Sequence, residues 1–65
     1  MTKTQIKTAR KLANLADEGG VIQGRDLVRV FRGRPELHTT MTLRAAWSHA
    51  LPGIDADTVS EALWG

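Results

Sequence analysis

Cysteine is absent from this chain of 65 residues, which excludes disulfide staples and thiolate metal sites. No apolar run approaches the roughly 20 residues of a membrane-spanning helix. Met1 is followed by polar residues rather than an apolar leader core, so a cytoplasmic setting is the expectation. Aromatics are few, with two Trp, one Phe and no Tyr. Excess charge is scarce too: nine Lys and Arg stand against seven Asp and Glu, a formal +2, so total charge points only weakly to a polyanionic partner. Nor does any segment show the alternation of apolar and polar residues that marks a half-buried strand. A chain this short forms one domain, residues 1–65, with a limited core and little room for several catalytic elements. Contact suits it better than chemistry.

What is present is helical spacing. Ile6, Ala9, Ala13 and Ala16 recur at intervals of three and four, which predicts a first helix from Thr2 or Lys3 to about Glu18, stopped by Gly19-Gly20. Val21 to Gly24 reads as a connector. Arg25 to Arg32 reads as a short second helix with Leu27, Val28, Val30 and Phe31 on its apolar face and Gly33 ending it. Pro35 suits a first helical turn reaching His38, and Thr39 to Thr42 supplies caps for a helix over Leu43–Leu51. That helix turns Leu43, Ala46, Trp47 and Ala50 inward, answered by Val59, Ala62 and Leu63 of a last helix over Ala56–Trp64. The expected fold is all-α: a compact bundle of four to five short helices ending in a helix-hairpin-helix.

The hairpin is the run Leu51-Pro52-Gly53-Ile54. Pro52 lacks an N–H and cannot continue the helix, while Gly53 relaxes the backbone, so the chain reverses. Turn amides and the free amides of the following helix form a donor array suited to a phosphate oxygen, with Gly53, Ile54 and Thr58 as the candidate contacts. Asp55 and Asp57 complicate this. Each is a good N-cap that would take up the same amides. A carboxylate about 5 Å from a phosphate costs on the order of 1 to 3 kcal/mol at an effective dielectric between about 20 and 80. The hairpin is therefore either a phosphate site or a scaffold.

Position says more about the charges than number. At about 100° per residue, Lys3, Lys7, Arg10 and Lys11 fall within roughly 100° on the first helix, away from its apolar side. Arg25, Arg29 and Arg32 fall within roughly 60° on the second. Such faces are also what any small soluble helix presents to water. Acids are what is missing: Asp26 alone lies among Arg25 to Arg32, so few i, i+4 pairs neutralise either stripe.

Other chemistry is thin. His38 and His49 lie eleven positions apart without Cys or a helical ligand partner, so no metal or cofactor is expected. Ser48 and His49 are adjacent and point apart, which argues against a nucleophile and base. Trp47 reads as a core aromatic and His49 as partly packed beside the hairpin. Trp64 falls off the apolar face of the last helix and either closes the core or marks a partner surface.

The order of parts resembles the integration host factor family of actinobacteria, small nucleoid-associated proteins. The resemblance is carried by Ala9-Arg10-Lys11-Leu12, Gly19-Gly20, the Leu27-Val28 region, Met41-Thr42-Leu43-Arg44-Ala45-Ala46, Ala50-Leu51-Pro52-Gly53-Ile54 and Glu61-Ala62-Leu63. It implies phosphate contacts by an N-terminal helix and a hairpin, weak sequence preference, and bending or compaction of DNA. The chain departs from the pattern in having Asp55 where the family usually has glycine, in lacking any base from Leu51 to Gly65, and in lacking the arginine-rich tail. The small size and missing tail suit an antagonist or a bacteriophage-encoded variant.

The expectation is thus a non-enzymatic, cytoplasmic, nucleoid-located protein that binds double-stranded DNA through Lys3, Lys7, Arg10 and Lys11, extended by Arg25, Arg29, Arg32 and Arg44. With about five phosphates neutralised, log affinity falls with log salt at a slope of about −4.5. A monomer or weak dimer is expected. The alternative is a protein-interaction module or antagonist whose hairpin no longer binds DNA.

Overall fold

Thr2 starts the first helix by a reciprocal cap, its hydroxyl oxygen accepting from the Gln5 N–H at 3.1 Å while the Gln5 side chain accepts from the Thr2 N–H at 2.8 Å. In the computed structural model, which describes residues 1–65, this helix α1 spans Lys3–Leu15. It ends short of the expected Glu18. Ala16 is already extended, and the Asp17 carboxylate accepts from the amides of Gly19 at 2.8 Å and Val21 at 3.0 Å, holding the chain in a turn.

The turn delivers strand β1, Val21–Ile22, which pairs antiparallel with β2, Met41–Thr42, in the register Val21 with Thr42 and Ile22 with Met41. The expected all-α bundle is corrected here, because a two-stranded sheet belongs to the fold and makes it mixed. Each strand is two residues long, too short for alternation to show, yet it seats Ile22 fully inside the core.

Helix α2 spans only Gly24–Leu27, and the chain continues through turns to Gly33 instead of holding a helix to Arg32. Val28, Val30 and Phe31 are weak helix formers, and one helical bond, Phe31 N–H to Leu27 C=O at 2.9 Å, carries the winding past Leu27. Leu27 and Phe31 are buried, whereas Val28 is exposed. A 3-10 turn at Pro35–Leu37 then buries Leu37. Gly24 is required where it sits: a Cβ there would lie 2.8 Å from the His38 carbonyl oxygen, in the backbone of the crossing segment.

Thr42 caps α3, Leu43–Ala50, by accepting from the Ala45 N–H at 3.1 Å. At the chain reversal the Ile54 N–H donates to the Leu51 C=O at 3.1 Å around Pro52 and Gly53, whose φ of +85° makes this a type II turn. Helix α4 follows over Ala56–Trp64, with Ala56 and Val59 buried, Leu63 half-buried and the expected core residue Ala62 exposed.

Helix α1 packs against α3 and α4, and β1 and β2 lie against α3. Eleven residues are buried, none polar or charged, with Trp47 at the centre. Its Nε1–H donates to the Ala9 carbonyl of α1 at 3.1 Å, so the largest core side chain fixes α3 to α1. The inward face of α1 centres on Ala9 and Leu12. Ile6, expected in the core, is only half-buried and sits at the margin of that face.

Candidate nucleic-acid interface

Because Ala9 and Leu12 point inward, the opposite side of α1 faces solvent along its whole length. Lys3, Lys7, Arg10 and Lys11 are all exposed on that side. Asn14 lies among them, with Ile6 and Leu15 at the margins of the same convex face. No acid stands among them. The first turn of α1 has no acidic residue and carries Lys3 at the positive end of the helix dipole, where a cation is disfavoured.

Ion pairing sorts the nine basic residues. Arg34 pairs with Glu36 at 3.3 Å and Arg44 with Asp57 at 3.0 Å; the other seven form no ion pair. A backbone hydrogen bond holds the Glu36 carboxyl below the usual carboxylate range, opposed by slight desolvation, and the Arg34 guanidinium lowers it further. The Arg44 contact joins α3 to α4 at the exposed surface and sets the Asp57 carboxylate beside the guanidinium expected to extend the DNA track.

The arginines of the second stripe stand differently. Arg25 is on α2, while Arg29 and Arg32 lie in the turns beyond Leu27, so the shared helical face expected for the three does not exist. All three are exposed and unpaired. They are carried by a segment tied to Leu37 and His38, whose Nε2–H donates to the Phe31 carbonyl at 2.7 Å, rather than by a direct extension of α1.

At the hairpin, Ile54 spends its amide inside the turn and half-buries its side chain against the core. Asp55 occupies the N-cap position of α4 without accepting a side-chain bond, and Asp57 turns to Arg44 instead of capping. Gly53 and Thr58 are exposed at the turn and in the first turn of α4. This end of the molecule presents the carboxylate of Asp55 and no free cation.

His49 is exposed, with its ring edge-on to Phe31 at 6.4 Å. Trp64 is 65% exposed, its ring tilted against that of buried Trp47 at 5.8 Å. No group of three or more His, Cys, Asp or Glu gathers to hold a metal ion, and no helix is long and apolar enough to cross a membrane. Asn14 is the residue that sequence reasoning passed over. It is uncharged, and only its place amid the cations of α1 singles it out.

No family model matches the chain, and neither a curated protein nor a solved structure does.

Proposed function

We propose that this chain is a non-enzymatic, host-factor-like DNA-binding protein that grips the phosphate backbone of duplex DNA through the outer face of α1. One observation carries the reading: four cations share an exposed helical face that holds no acid and makes no ion pair. Like charges at i, i+3 and i, i+4, as in Lys3–Lys7, Lys7–Arg10 and Lys7–Lys11, repel by a few tenths of a kcal/mol each, roughly 0.2–0.5. A polyanion relieves that repulsion. Contacts to phosphate carry little sequence information, so preference is weak. The grip lies on α1 rather than at the hairpin, where Asp55 and Asp57 repel phosphate and residues 51–65 offer no base.

The test replaces Lys7, Arg10 and Lys11 together by Ala. Alanine is the best helix former and all three positions are exposed, so the fold is retained. Affinity for every duplex is expected to drop by a similar factor. Unchanged affinity contradicts the proposed surface.

A second reading, a protein-interaction module, draws on the exposed Trp64 beside an α4 outer face that bears Asp57 and Glu61. It predicts that the parent chain shows no salt-dependent affinity for duplex DNA and that Trp64→Ala abolishes capture of a protein partner.

A further inference from the structure

We infer that α1 enters the major groove of DNA as a reading helix, with Asn14 directed at the base edges. The inference rests on the DNA-binding reading and goes beyond its phosphate contacts. Taking Asn14 as zero on the helical wheel, Lys3 and Arg10 fall about 20° and 40° to one side, and Lys7 and Lys11 about 20° and 60° to the other. Seen down the axis, Asn14 is thus the one uncharged position between two pairs of cations, and along the axis it stands about one turn beyond Arg10 and Lys11. Its side chain is exposed and takes part in no hydrogen bond within the protein, so its amide is free to donate and accept together.

A helix lying along a single phosphate strand needs one narrow row of cations. Here the outermost two, Arg10 and Lys11, diverge by about 100°, which parts their stems by about 8 Å on a cylinder about 11 Å wide before the side chains extend. That divergence suits two phosphate walls. The major groove, about 12 Å wide, admits a helix between such walls, whereas the minor groove, about 6 Å wide, does not. Asn14 then faces the floor, where an Asn amide matches the paired donor and acceptor of adenine. Half-buried Ile6 and Leu15, about 80° and 100° from Asn14 on opposite sides, lie outside the cations and supply apolar contact to the sugars of the walls.

The experiment is a fluorescence anisotropy titration of the full chain with one duplex of mixed sequence in three forms. These are the unmodified duplex, the same duplex with cytosines replaced by glucosylated hydroxymethylcytosine to fill the major groove, and the unmodified duplex saturated with netropsin in the minor groove. Glucosylation is expected to weaken binding tenfold or more, and netropsin by less than twofold. The parent is expected to differ threefold or more in affinity among duplexes of different A·T placement, a preference added by Asn14 to the unspecific phosphate contacts. Asn14→Ala is expected to level it to within twofold with the salt dependence intact. Equal binding to the glucosylated and plain duplexes, or displacement by netropsin, overturns the major-groove placement while DNA binding itself stands. A parent indifferent to A·T placement, or a preference unchanged in Asn14→Ala, removes Asn14 from the floor. Failure to bind the plain duplex at low salt defeats the DNA reading, and this inference with it.

Discussion

Trp47 shows how much a single residue carries in a chain of this size. Its ring is buried at the meeting of α1, α3 and α4, and its indole N–H reaches the Ala9 carbonyl across 38 positions of sequence. Trp47→Phe keeps an aromatic ring but deletes the donor and leaves a gap, and a loss of about 1–3 kcal/mol in denaturant unfolding is expected. A loss below about 0.5 kcal/mol, the scale of an ordinary surface substitution, would remove that bond from the account. Gly53 offers a backbone counterpart. With φ at +85°, Gly53→Ala is expected to cost about 1–2 kcal/mol by the same measurement, and an unchanged midpoint contradicts the type II turn. The sequence reveals Trp47 as core and Gly53 as the turn residue, because bulk on an apolar face and a Pro-Gly pair are local signals. The Arg44–Asp57 pair is not local. It joins two helices across the hairpin, and no spacing rule on one helix exposes it.

Among elements, legibility follows cooperativity. Helix α4 lies where its periodicity places it, and α3 stops one residue before the expected Leu51. Helices α1 and α2 stop early for different reasons: Asp17 captures the amides that a further turn would need, and β-branched Val28 and Val30 do not sustain winding in so short a segment. The two strands leave no periodic trace because each contributes a single inward side chain at most. The basic face of α1 is legible for the opposite reason, since angular placement needs only a helix long enough to repeat. Helix α1 also carries its own prediction. Replacing Lys7, Arg10 and Lys11 by Ala relieves like-charge contacts and adds helix propensity, so at low salt the free protein is expected to be as stable as the parent or more so, by up to about 1 kcal/mol. Thermal unfolding checks it. A marked destabilisation would show that these side chains hold the fold rather than a ligand.

At the scale of the whole molecule, the charges divide. Seven unpaired cations stand on α1 and the Arg25–Arg32 segment, while residues 51–65 contain no base and expose Asp55, Asp57 and Glu61. A formal charge of +2 conceals this polarity, which is why composition spoke faintly and placement clearly. Under the proposed DNA-binding reading, this polarity turns α1 toward the polyanion and α4 away from it. The most direct measurement is the affinity for a generic duplex as a function of salt. If the four cations of α1 each neutralise one phosphate, log affinity falls against log salt with a slope of about −3.6, and the triple alanine variant brings it to about −0.9. A slope near zero, or the same slope in parent and variant, would contradict the claim that the outer face of α1 holds the phosphate backbone.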